Sequence, residues 1–313
     1  MTETTDSVHL PVVNIAETGD IILVVGPEQL KLRVESLILK AASKSLCTMF
    51  RLNWQEDRES LVLGPPVDIL LPEENPTALT CICAILHYRI EMVPQIMSPY
   101  DVLKVAITAD KYGLVGALTF ANQSWLSPLN KAASDLIVLA AAASLFQNTQ
   151  AFKEITKALV LSHRGSYLTL WSEDAISVLG ERIYCLLEEQ RGFARLKLEE
   201  ILLGGTKASS CVHRCGWTSK YAYAYIQLLE TQSLWPMDIQ SVAESIERAN
   251  RMPDPIPEER STECKFGYKH FVPDYRSSYR YKLDNLDSCI GICLNCFLSK
   301  QPSAVSCQMT HEH

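Results

Sequence analysis

Cysteine and histidine gather toward the end of the chain. Seven of the eleven cysteines follow residue 210 (Cys211, Cys215, Cys264, Cys289, Cys293, Cys296 and Cys307), with His213 and His270 among them. The stretch GICLNC (291–296) holds the tightest pair, Cys293 and Cys296. A Cys-x2-Cys turn presents two thiolates to one tetrahedral ion and is the usual half-site of structural zinc. CVHRC (211–215) and CKFGYKH (264–270) hold further ligand types. The expected ligand set is Cys211, Cys264, Cys293 and Cys296, with His213, Cys215 and His270 as alternates. The gaps between these segments are long, so an ion held by them would staple distant parts of a region whose core is thin. Two other readings stand beside it. A redox pair needs a βαβ setting that lowers one thiol pKa, and LDNLDSCIGICLNCFLSK offers none. Inert buried thiols are the plain alternative, since Cys is among the most buried residue types.

Two nucleic-acid readings follow from the same region. A DNA-reading finger needs about twelve residues after its cysteine pair and then two histidines on one helix face. Here His311 and His313 are only two apart and Pro302 interrupts the segment, so that reading is rejected. KFGYKHFVPDYRSSYRYK (265–282) interleaves Lys265, Lys269, Arg276, Arg280 and Lys282 with six aromatic residues. Cations beside rings hold single strands through phosphate attraction and base stacking, which makes a nucleic-acid-associated regulatory role one alternative. Rings that close a small core under solvated cations are the simpler account, and a net charge of −7 weighs against nucleic acid. No nucleophile elbow, phosphate loop or paired-His zinc motif is present, so no enzyme is expected. A zinc-dependent enzyme in the last third would need an open ligand position with an activated water.

The 313 residues are 47% hydrophobic, enough for two or three domains with real cores. The opening MTETTDSVHLPVVNIAETG lacks a basic segment followed by an apolar run. The longest apolar run, LIVLAAAASLF (136–146), falls short of the roughly 20 residues a bilayer requires and reads as a buried helix. The expectation is an intracellular chain, cytoplasmic or nuclear, with reduced thiols and no membrane partner.

The elements that would carry these residues begin with GDIILVVGPEQLKLRV (19–34), read as two strands around Gly26-Pro27. ESLILKAASKSLCTMF (35–50) then changes to helical period, with Leu37, Ile38, Ala41, Ala42, Leu46, Met49 and Phe50 inward and a split near Ser43. VDILLP (67–72) is a third strand. Pro76 and Pro99 open helices over 75–89 and 98–114. Residues 128–205 read as all helix, ended by Gly204-Gly205, and 216–236 as a further helix. The fold class is α+β: a small sheet packed with helices, then a mostly helical C-terminal region with a Cys-rich module. The expected division is a disordered tail (1–16), the α+β domain (17–127), a helical extension (128–205), a Cys/His module (206–300) and a second tail (301–313).

Several ordered blocks of the first third resemble one family. Asp20 before the first strand, Ser43 in a small-residue turn, the Met49-Phe50 helix end, LPEEN (71–75) and ADKYG (109–113) are together similar to the BTB/POZ domain in its fungal form. Glu35 stands where such domains usually carry a His, and Leu46 where a Phe is common. The resemblance implies a protein–protein interaction module that forms homodimers or heterodimers, and for some members an adaptor that binds a cullin scaffold for ubiquitination. The hydrophobic-x-Glu slot of cullin-binding members is matched by Trp54, Gln55 and Glu56, which makes Trp54 and Glu56 the expected partner-binding residues. LWP (234–236) and the final Gly-x-Cys-x-x-Cys also resemble the C-terminal part of fungal members. That pattern implies a Cys-x-x-Cys near 264, where Gly267 takes the second position and His270 or His213 would stand in.

Overall fold

The β-branched run Ile21–Val25 (β2) turns at Gly26, whose φ is +72°, and returns as Leu30–Val34 (β3) in an antiparallel hairpin. Leu23 lies opposite Leu32 on one side of β2 and Ile69 on the other, where Val67–Leu71 (β4) pairs parallel to it. Val12–Asn14 (β1), inside the stretch expected to be a tail, pairs parallel to β3, so the sheet order is β1-β3-β2-β4. The computed structural model describes residues 12–53, 65–205, 211, 213, 215–236, 241–256, 263–264, 266–270 and 275–299. Trp54 and Glu56 lie outside the described residues.

The helices run in chain order as α1 (Ser36–Ala42), α2 (Lys44–Asn53), α3 (Pro76–Leu86), α4 (Pro99–Lys111), α5 (Thr119–Trp125), α6 (Ala133–Leu145) and α7 (Thr149–Ser162). They continue as α8 (Glu173–Leu179), α9 (Arg182–Gly204), α10 (Trp217–Thr231), α11 (Val242–Arg251), α12 (Tyr275–Cys289) and α13 (Leu294–Leu298). The fold is mixed α+β, as expected from the change of period along the chain. Two compact units divide it. The first holds the residues up to 155 together with 172–179; the second holds 156–171 and the residues from 180 onward.

In the first unit, α3 and α4 begin as their prolines predict. Asn75 Oδ1 accepts from Ala78 N at 2.9 Å and Ser98 Oγ accepts from Asp101 N at 3.1 Å, each satisfying an orphan amide of a first turn. The helical face of 35–50 breaks at Ser43 as expected, but the inward residue of α1 is Leu39, while Leu37 is 71% exposed. Helix α6 is buried from Leu136 to Ser144 all round, packed between α4 and α8, which accounts for its lack of a polar face.

Among the residues that suggested the resemblance, Ser43, Tyr112 and Glu74 are bonded to one another, and Asp20 bonds to Ser36. Asp20 accepts from Ser36 N at 2.7 Å and from Ser36 Oγ at 2.6 Å, capping α1 from outside it. Glu35 donates its backbone N–H to His87 Nε2 at 3.0 Å, while His87 Nδ1 lies 2.8 Å from Cys83 O, so the proton sits on Nδ1. Ser43 Oγ donates to Tyr112 O at 2.6 Å and accepts from Leu46 N at 3.1 Å. Tyr112 Oη donates to Glu74 Oε1 at 2.8 Å, and Lys111 pairs with the same carboxylate. Burial first, and the Glu74 hydrogen bond second, push the Tyr112 phenol above its ordinary range.

In the second unit, α9 packs against α11 and α12. The Gly204-Gly205 stop is where α9 ends, but the reason differs from a left-handed cap, since Gly205 has an ordinary helical φ of −63°. A Cβ there would stand 1.8 Å from Tyr279 Oη and 2.6 Å from Tyr225 Cζ. Those two phenols are buried, lie 2.6 Å apart, and Tyr225 donates to Leu202 O at 2.7 Å, which leaves Tyr279 to donate to Tyr225. Gly205→Ala must therefore break the phenol pair, and its cost should be about 1–3 kcal/mol, as for overpacked cores. A fall of the urea midpoint with unchanged slope would register it; an unchanged midpoint would mean the rings move aside freely.

Candidate metal centre

Two short arms build the site. The first is the loop that leads into α10. Cys211 N donates to Thr218 Oγ1 at 3.1 Å, and Gly216, with φ +88°, turns the chain into the helix. The second arm is a tight turn closed by Gly267 N→Cys264 O (2.8 Å) and Cys264 N→Tyr268 O (2.6 Å), with an antiparallel bridge between Glu263 and Lys269. Gly267 has φ +78°, a conformation glycine adopts without strain. The position where the family pattern implies a second Cys is therefore the corner of the turn, and the chain places His270 at its end instead.

Cys211, Cys215, Cys264 and His270 come together, with one ligand atom from each within 4.8 Å of all the others. Cys215 Sγ lies 3.4 Å from Cys211 Sγ and 3.1 Å from His270 Nε2, and Cys211 Sγ lies 3.8 Å from Cys264 Sγ. A disulfide would require about 2.0 Å. A tetrahedral ion with metal–sulfur bonds of about 2.3 Å sets its sulfurs about 3.8 Å apart, so these distances are close to the edges of one Cys3His tetrahedron.

Backbone amides prepare the thiolates. The His213 N–H directed at Cys211 brings that thiol down to about 6; burial opposes it, and the Cys215 thiol and N–H assist. The Phe266 N–H acts likewise on Cys264, but burial and the neighbouring sulfurs outweigh it and raise the thiol. Core cysteines behave differently. Burial alone pushes Cys81 up to about 11, and burial with the Cys81 charge pushes Cys83 up to about 12, which makes them inert.

His270 is oriented by stacking. Its ring lies on the Trp217 indole, centroids 4.4 Å apart and planes 12° apart, and Nδ1 is buried without a hydrogen-bond partner. Metal-bound histidines usually donate that second N–H to an oxygen. Here the buried indole, 6% exposed, fixes the ring plane instead.

Of the expected ligand set, the structure brings together Cys211 and Cys264 and joins to them the alternates Cys215 and His270. It does not bring Cys293 and Cys296 to them. Cys293 precedes α13 and Cys296 lies within it, both buried beside Ile290, Ile292, Leu294 and Phe297. Ile292 N donates to Thr156 Oγ1 at 2.9 Å, and Arg182 Nη1 to Phe297 O at 3.1 Å, so GICLNC is packed core. The available signal was its apolar surround, set against the polar flanks of Cys211 and Cys264. His213 is not a ligand either; its exposed ring stacks on Tyr268 at 4.8 Å and meets Phe266 at 5.2 Å.

The purified chain should carry about one metal ion, since four protein ligands complete one tetrahedron. Cys215→Ser should lose it, and Cys293→Ser should keep it, as read by elemental mass spectrometry after gel filtration. Retention in the first variant, or loss in the second without unfolding, would overturn the ligand set. Trp217→Ala should leave all four ligands but weaken metal retention by about tenfold, the size of other losses of ligand support. Comparison with known proteins adds no kinship to this geometry: no family model, no curated protein and no solved structure matches the chain.

Proposed function

We propose that this chain is a protein–protein interaction protein whose first unit is a BTB/POZ-type module and whose second unit is stapled by structural zinc. The observation that carries the interaction reading is the bonded set Ser43, Glu74 and Tyr112, arranged on the order β2-β3-α1-α2-β4-α3-α4. These are the residues of the resemblance, and their mutual contact gives a physical reason for them to occur together. Zinc is the ion that three thiolates and one imidazole favour, being tetrahedral without a redox change. The four ligands fill that coordination, which leaves no position for an activated water and argues for a structural over a hydrolytic role. Among the described residues no helix is long and apolar enough to cross a membrane, which is compatible with partners met in solution.

Within this reading the chain pairs with itself or with a related module, and Trp54 and Glu56 form the contact to a cullin. Light scattering after size exclusion tests it on the full chain, alone and with a cullin N-terminal domain. A dimer that comigrates with the cullin, and ceases to do so in Trp54→Ala/Glu56→Ala, is the expected result. A monomer indifferent to the cullin would overturn the reading.

One observation favours a second reading, contact with single-stranded nucleic acid. Phe266 and Tyr268 are 65% and 62% exposed beside the stacked His213, which forms a ring shelf on the metal turn next to Lys269. Such rings accept unpaired bases, each worth about 1–3 kcal/mol by alanine substitution. Phe266→Ala/Tyr268→Ala should then weaken retention of a labelled oligonucleotide at least tenfold, in a salt-dependent manner; retention that is absent or unchanged would remove this reading.

A further inference from the structure

Within the second unit, α9 and α12 diverge enough to leave a cleft of about 340 Å³. Its floor is apolar: Phe193 and Ile201 come from α9 and Leu286 from α12. Two polar residues of one α12 face, Lys282 and Asn285, stand at its rim, spaced three apart as one helix face requires. On the facing helix, Lys197 Nζ is committed to Glu200, at 2.8 Å. No hydrogen bond or ion pair joins a described side chain to Lys282 or to the Asn285 side-chain amide, although, after the Lys197 hydrogen bond, the Lys282 charge also helps to lower the Glu200 carboxyl beside it. The cleft therefore offers two ammoniums against one carboxylate, a surplus of one positive charge, and one open amide above an apolar surface.

We propose that this cleft binds a small amphiphilic carboxylate, with its apolar chain on Phe193, Ile201 and Leu286 and its carboxylate on Lys282 and Asn285. Size and chemistry both narrow the class. The volume falls at the lower end of small-molecule pockets, which run from about 300 to 1,000 Å³ and are mostly apolar with a few placed polar groups. Sugars and nucleotides need more hydrogen-bonding partners than this rim supplies. A cation would meet the surplus ammonium, and the only lining carboxylate, Glu200, is already held by Lys197. A neutral apolar molecule would use the floor and leave Lys282 idle. The site is separate from the metal ligands and independent of the interaction reading.

Cys289, exposed and also lining the cleft, reports occupancy. The test uses the full chain with octanoate and 1-octanol, followed by calorimetric titration and by the rate of Cys289 alkylation with iodoacetamide, located by peptide mass spectrometry. Octanoate should bind with a stoichiometry of one, about tenfold tighter than 1-octanol, the size expected of a charge-assisted contact. It should also slow alkylation at Cys289 while leaving exposed Cys185 unchanged. Lys282→Gln, a change of an exposed side chain, should abolish the preference for octanoate and keep the weak apolar binding. Equal binding of the two ligands, a preference that survives Lys282→Gln, or no saturable binding by either would overturn the proposal.

Discussion

The closure of the chain between Cys215 and Cys264 governs the second unit. Cys211 and Cys264 are 53 residues apart, and bringing such ends together costs about 4 kcal/mol of chain entropy. The Trp217–His270 stack returns about 0.5–1.5 kcal/mol beyond its buried area, and a backbone bridge such as Glu263–Lys269 about 1. Those contacts alone do not offset the closure. The proposed ion on four ligands would, since structural sites of this kind bind by many kcal/mol more. The arms are short: a turn held by Gly267 and a loop ended by Gly216 have no core of their own, and an ion bound there would fix their ends.

The first unit is held by a different economy. Ser43 lies where two helices meet, and its single hydroxyl serves as the cap of α2 and as a donor to Tyr112 O at the end of α4. Tyr112 then carries the connection to Glu74, just after β4. Three elements far apart in sequence are thereby fixed by one serine, one tyrosine and one carboxylate, with no buried donor left unmade among them. Buried polar chains of this kind specify one arrangement more than they add stability, because each member is costly when its neighbour is absent. Glu35 joins the frame through its backbone, not its carboxylate: its N–H donates to the imidazole of His87 at the end of α3.

Legibility in the sequence followed the strength of the local signal. The hairpin, β4 and the starts of α3 and α4 were readable because β-branched runs and Pro at the first helical turn act locally. Strand β1 was not, since three residues carry no measurable period and their pairing with β3 is set by tertiary contact. Helix α12 was hidden for the opposite reason. Its sequence reads as a basic aromatic stretch, and only the packing against α9 and α11 picks out Tyr279, Leu283 and Leu286 as buried. At the metal site the residue types were legible but the partition was not. Cys-x2-Cys is a spacing that a buried helix end can also produce, and Ile290, Ile292 and Leu294 decide that case. The true arms, Cys-x3-Cys and Cys-x5-His, are weaker patterns, joined by a distance that no local rule encodes.

The interleaving of the two units sets an order on synthesis. Helix α6 is buried on all sides, and α8, which covers part of it, is not made until the ribosome has already passed residues 156–171 of the second unit. A nascent chain that has just released residue 155 can pack α6 against α4 but leaves the face that α8 will cover without its cover. It must hold that surface open while the next stretch, destined for another unit, emerges ahead of the missing cover. At roughly 5–20 residues per second the delay lasts a second or more. That interval is long enough for a chaperone to bind, so α6 marks where this chain is most vulnerable to aggregation while it is being made.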